Sequence, residues 1–287
     1  MRGLDYIQSK QIYWAKRNGL KLFGSQGNKG LPIYTVTLKK NLFEPLTKTS
    51  RGQFEAGDGG EINDSAKIPA KMRALHSSSA IAVNIFQYWN TINKVYQIAH
   101  SCGLCSKENQ TAEKVKFEQK FIISKAFPFS PNIDVVIENN AKGQYEIFAI
   151  ECKFSEAYGS YGHKGIDPKY IDLQIWDDIP NIFDFAKSIS PTDNDFKHLH
   201  PAQLIKHILG LKNKYGKRAF RLLYLWYDVH GEESYIHRKE IERFSEIVKK
   251  DGIKFSSISY QKLISNLAKD YYDGNEKYFN YITDRYL

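Results

Sequence analysis

The chain has 287 residues, 42% hydrophobic and 14% aromatic, enough apolar material for a substantial core and too much for a globally disordered chain. Lys and Arg total 41 against 32 Asp and Glu, and the resulting charge of +9 suits a polyanionic partner such as nucleic acid. No run nears the roughly 18 apolar residues of a membrane span, the opening MRGLDYIQSKQIYWAKRNGL lacks the apolar core of a signal peptide, and three cysteines make no disulfide framework. The expectation is a cytoplasmic protein with no membrane partner.

Residues 1–75 read as an irregular, basic N-terminal extension packed on the core, with Gly-rich stretches GSQGNKG and EAGDGGEIND. Neither stretch has the Gly-Lys-Ser/Thr of a phosphate-binding loop, and Asp58, Glu61 and Asp64 miss the spacing of a calcium loop. Both are expected on the surface, placed so that Glu55 and Glu61 can fold back toward a site. After HSSS, a good N-cap, Ile81, Ile85, Trp89, Ile92 and Tyr96 recur at three- and four-residue steps and predict a helix over 79–99. Cys102 and Cys105, with His100, fall one ligand short of structural zinc and read as a chance pair at a helix end.

Next, VKFEQKFII alternates as a strand does, and 133–138 and 145–154 are two more strands. Their short link NNAKGQ makes that pair an antiparallel hairpin. Residues 155–198 form a long insertion rich in Tyr, Asp and Gly, with a helix over 180–188. A helix then starts at Pro201, carries the stripe Leu204, Ile208 and Leu211, and stops at Gly216. The apolar AFRLLYLWYDV is a strand, a helix follows over 233–250, and Tyr-rich helical material completes a C-terminal appendage, 233–287. Residues 76–287 are thus expected to hold the main domain. Helix, three strands, helix, strand predicts an α/β fold, a mixed central sheet flanked by helices.

The chemistry concentrates in SPNIDVVIEN and YEIFAIECKF. Alternate strand residues share a face, so Glu151 and Lys153 point one way and Cys152 the other, as a small core residue. Asp134 can lie beside Glu151 across the hairpin. Two carboxylates that close repel and raise at least one pKa unless a cation intervenes. Hard oxygen ligands with an open side suit Mg²⁺, and Lys153 can orient or deprotonate a water or offset developing negative charge. The plain alternative is a surface hairpin with a Glu–Lys pair of little weight.

PNID…IECK, with the helix starting at Pro201, resembles the PD-(D/E)xK nucleases and their restriction-endonuclease-like fold, over residues 79–229. LHSSSAIAVN, NIDVVIE, IECKF and the closing YDVHGEE…IERF are together similar to a bacterial branch of that superfamily. The resemblance implies that Asp134, Glu151 and the main-chain carbonyl of Cys152 bind Mg²⁺, with Mn²⁺ able to substitute. It implies that Lys153 is the motif lysine and Gln203 the glutamine of the following helix, all four side chains belonging to the catalytic set. Some members carry a Glu on the first helix; 79–99 has no acidic residue, and Glu118 or Glu156 are the available substitutes.

Two basic clusters, Lys212, Lys214, Lys217 and Arg218, and Lys114, Lys116, Lys120 and Lys125, are candidate phosphate-backbone contacts or solvated faces. Tyr158, Tyr161 and Tyr170 are candidates for stacking on bases, with core packing the favoured reading. The leading expectation is a metal-dependent nuclease hydrolysing phosphodiester bonds, with DNA favoured over RNA. Its rivals are a catalytically silent nucleic-acid-binding module on the same fold, and a structural or toxin-neutralising protein with a coincidental ExK.

Overall fold

The computed structural model describes residues 1–24, 30–57, 60–65, 68–127, 130–159 and 163–287. The N-terminal segment holds α1 (Gly3–Arg17), a two-stranded hairpin of β1 (Leu22–Phe23) and β2 (Tyr34–Thr35), and α2 (Lys48–Ala56). Then come α3 (Ser78–Thr91), α4 (Val95–Ser101) and strands β3 (Ala112–Lys120), β4 (Asn132–Asn139) and β5 (Ile147–Lys153). The insertion contributes α5 (Pro168–Ile171) and α6 (Pro180–Ser188) before α7 (Pro201–Tyr215) and β6 (Phe220–Trp226). The chain continues through α8 (Glu232–Lys250), β7 (Phe255–Ser259), α9 (Tyr260–Tyr271) and α10 (Glu276–Tyr286).

Strands β3 to β7 lie in sequence order in one five-stranded sheet. The β3–β4 and β4–β5 pairs are antiparallel; β5–β6 and β6–β7 are parallel. Parallel neighbours need crossovers, supplied here by the insertion with α7 and then by α8. The pleat sorts β5 cleanly: Phe148, Ile150 and Cys152 enter one core with α3, α9 and α10. Ile147 and Ala149 enter the other, with α6, α7 and α8. The expected mixed sheet between helical layers is present.

Several expectations need correction. The N-terminal segment is not irregular: α1 buries Ile7, Gln11, Trp14 and Ala15 along one stripe. The first helix is not continuous over 79–99. Asn93 takes a left-handed φ of 56°, which Asn tolerates better than most residues, and the chain restarts as α4. Residues 233–287 are not an appendage either, since β7 completes the sheet and Leu263, Leu267, Tyr278 and Ile282 share a core with Val135 and Ile150.

Buried polar groups tie these pieces together. Glu240 of α8 accepts the backbone N–H groups of Lys197, His198 and Leu199 at 2.7–2.9 Å. Asp251 accepts those of Asn181 and Ile182 at the start of α6. The insertion is therefore clamped to α8 at two points. At the far end of the chain, Arg285 is fully buried. It donates to Gln11 Oε1 (3.0 Å), the Asn41 carbonyl (2.8 Å), Tyr281 Oη (2.6 Å) and the Leu75 carbonyl (3.3 Å). Its guanidinium also lies 4.3 Å from the Trp14 ring centroid.

Candidate active site

The β4–β5 register pairs Val135 with Ile150 and Val136 with Ala149. Carried one step outward, it sets Asp134 beside Glu151, as the hairpin predicted. Asp134 Oδ2 accepts the backbone N–H of Cys152 at 2.7 Å. Glu151 is fully buried. Its Oε1 meets Lys153 Nζ at 2.6 Å and its Oε2 meets His207 Nε2 at 2.8 Å. Lys153 Nζ also donates to Gln203 Oε1 at 3.0 Å. Three strand-end residues and one helix residue expected from the sequence thus form one cluster, and the Cys152 side chain is buried on the opposite face.

His207 is the member that sequence reasoning missed. It lies one helical turn after Gln203 on α7, so the two share a face of that helix. Its ring is buried, and Nδ1 has no hydrogen-bond partner among the described residues. The Gln203-x₃-His207 spacing was the available signal, set among the apolar residues of the helix.

The charges are unevenly balanced. Burial pushes the Glu151 carboxyl up, but Lys153 and His207 outweigh it and hold its pKa at about 2. For Asp134, burial and then the charge of Glu151 lift the pKa well above the usual carboxylate range, and Lys153 only partly opposes them. Burial pulls Lys153 down, yet Glu151 and Asp134 prevail and raise it, so it stays an ammonium. Lys153 and His207 both act on Glu151, and of these two only Lys153 acts on Asp134. Asp134 is the one left short.

Asp134 lines a cleft of about 340 Å³ together with Glu118, Asn132, Gln203, Glu61 and Ser79. Glu118 has a left-handed φ of 52°, uncommon for a non-glycine, and its carboxylate accepts from Asn132 Nδ2 at 2.7 Å. Glu61 does fold back: it accepts from Ser79 Oγ of α3 at 2.6 Å and pairs with Lys71 at 3.0 Å. Glu55 instead faces solvent beside Arg51. Glu156 lines an adjoining cleft of about 500 Å³ with Lys153, Gln203, His76 and Tyr34. Acidic residues therefore line the clefts on both sides of Gln203.

The family model described as Restriction Endonuclease associating with ARP matches residues 8–287. The chain belongs to this restriction-endonuclease family. Its α/β architecture, with helices on both faces of the five-stranded mixed sheet, is compatible with a restriction-endonuclease-like core. No curated protein and no solved structure matches the chain.

Other expected features sit elsewhere. Lys212, Lys214, Lys217 and Arg218 are not at the site, because α7 starts beside it and runs away for roughly 20 Å at 1.5 Å per residue. Lys116 pairs with Glu138 at 2.5 Å. Tyr158 and Tyr170 are buried, so packing occupies them; Tyr161 and Asp58 lie outside the described residues. Cys102 is buried and Cys105 half-buried, both as free thiols. No helix among the described residues is long and apolar enough to cross a membrane.

Proposed function

We propose that the chain is a divalent-metal-dependent nuclease of the PD-(D/E)xK type that hydrolyses phosphodiester bonds, in DNA in preference to RNA. The observation that carries this reading is the cation deficit at Asp134: it lines the cleft beside the fully buried Glu151, and Lys153, which bonds Glu151, only partly offsets the Asp134 charge. Hard oxygen donors with an open side fit Mg²⁺ or Mn²⁺, and Asp134, Glu151 and the Cys152 carbonyl would hold the ion. Bound there, the ion would supply Lewis acidity and a more acidic water.

The remaining work falls to the chain's own side chains. Lys153 stays protonated, so its role is to offset charge on the phosphoryl oxygens and orient water, not to remove a proton. Gln203 fixes that ammonium by accepting from Nζ. His207 donates to the far oxygen of Glu151 and so sets the angle of its carboxylate. The family's description associates its members with ARP, and we carry ARP over as an expected partner. Plasmid and single-stranded substrates incubated with Mg²⁺, Mn²⁺ or chelator test the proposal. Cutting that needs the metal and is lost in Asp134→Asn supports it; binding without cutting under any metal would leave a silent nucleic-acid-binding module.

A further inference from the structure

A third cavity, about 340 Å³, opens on the other side of Lys153. Its walls come from the insertion and the first turns of α7: His163, Lys164, His198, His200 and Lys206, with Glu156 as the acid. Lys153 and Glu156 also line the 500 Å³ cleft, and Gln203 and Glu61 link that cleft to the one holding Asp134. The three hollows thus form one path, acidic at the Asp134 end and basic at the Lys206 end.

The basic end is built for an anion. Neither the Lys164 nor the Lys206 side chain has an ion-pair or hydrogen-bond partner among the described residues, although Lys206 is half-buried. Burial, then the nearby Lys169, hold the Lys206 ammonium below its ordinary range, with Asp167 opposing. Burial, and after it His163 and Lys153, push His200 down to about 4. The wall carries one acid, Glu156, one of whose oxygens accepts the Phe154 N–H at 3.1 Å. The walls are also fixed. His198 bonds the Ala157 carbonyl at 2.8 Å, His163 the Lys197 carbonyl at 3.1 Å, and Glu240 holds the backbone on either side.

Resting on the nuclease reading above, we infer that this cavity is a phosphate subsite, in which Lys206 and Lys164 take the internal phosphate next to the scissile one on the same strand. Gln203 and Lys206 are three residues apart on α7, so their Cβ atoms are about 5–6 Å apart. That places the second phosphate a short step from Lys153. A strand lying along the path would meet the acidic cluster first and the lysines next.

The test uses the full chain with Lys164→Gln and Lys206→Gln combined. For inorganic phosphate, titrated by calorimetry without metal, the parent binds and the double variant binds at least tenfold more weakly; equal affinity for parent and variant, or no binding by the parent, overturns the subsite. For a metal-supported cleavage assay, KM rises about tenfold with a much smaller change in kcat, as two lost charged contacts require. In a gel-shift with Ca²⁺, the salt dependence of affinity flattens by roughly 1.5 in log–log slope. Substrates with 5′-hydroxyl and 5′-phosphate ends separate the sources: an effect equal on both supports an internal phosphate, and one confined to the phosphorylated end overturns that assignment. Phosphate binding lost in the variant, with no cutting by the parent, would sink the nuclease reading and keep the anion site.

Discussion

Replacing Asp134 by Asn should make the metal-free protein more stable. The amide has nearly the shape of the carboxylate, and its oxygen can still accept the Cys152 N–H that Asp134 Oδ2 accepts at 2.7 Å. What disappears is the cost of a carboxylate set among protein groups beside Glu151, a cost shown by its raised pKa. Burying such a group without its full complement of partners costs about 1–3 kcal/mol. At about 2.1 cal/mol/K of unfolding entropy per residue, a chain of this length converts that into a melting-temperature gain of roughly 2–5 °C.

The gain should depend on pH. Because the folded pKa of Asp134 is raised, its contribution to parent stability is fully present below the unfolded value of about 3.9 and is lost as pH rises through the folded one. Parent and variant therefore melt together near pH 3.5 and separate toward pH 7.5. Mn²⁺ should reverse the ranking: at a hundredfold excess over its Kd it stabilises the parent by about 2.7 kcal/mol and the variant by far less. Calorimetric scans in chelator and in Mn²⁺ read all three effects. An Asp134→Asn variant that melts below the parent in chelator at pH 7.5 would show that the carboxylate is a structural anchor, and the cation-deficit reasoning would fail.

Lys153→Met should lower the cleavage rate about a hundredfold, an electrostatic loss on the order of 3 kcal/mol, while a Ca²⁺ gel-shift stays nearly normal because the other contacts remain. His207→Leu removes the donor to Glu151 Oε2, so Mn²⁺ calorimetry should show weaker binding, with His207→Gln recovering part of it; equal binding by all three proteins would remove His207 from the site. Glu151 acts with the opposite sign to Asp134. Its folded pKa of about 2 means that its stabilisation is present above the usual carboxylate range and fades as pH falls toward 2, so Glu151→Gln should cost stability at pH 6 and little at pH 2. Nucleic-acid affinity should fall steeply between low and physiological salt; a flat response would exclude electrostatic capture of phosphates.

The site was legible because strand alternation and one short hairpin suffice to bring Asp134, Glu151 and Lys153 together, and Pro201 and Gly216 delimit α7 from sequence alone. Features that rest on tertiary context were not. Gln11 sits in the buried stripe of α1, where a polar residue hides the helical period, and it is there because Arg285 needs its oxygen. Strand β7 reads FSSIS, too polar to announce itself, and is held by its parallel neighbour β6. The Lys212–Arg218 cluster, a candidate for phosphate contacts, sits at the end of α7 and just past it; only the direction of that helix shows that it is at the wrong end. Glu61 and Ser79 meet across a loop whose path no local pattern specifies.

The Arg285 contacts also set an order of events during synthesis. The segment that supplies Tyr34, Glu61 and Lys71 to the cleft emerges early, yet the Gln11 side-chain oxygen and the Leu75 carbonyl must wait for the guanidinium of residue 285. At about 5–20 residues per second, the intervening translation leaves those two contacts unmade for roughly ten seconds or more after that segment's own residues appear. The sheet with Asp134 and Glu151 takes β7 as its last strand and shares a core with α9 and α10, so neither it nor the groove around it is complete until α10 docks. A nascent chain on the ribosome therefore carries the acidic pair without the finished channel that would grip a strand.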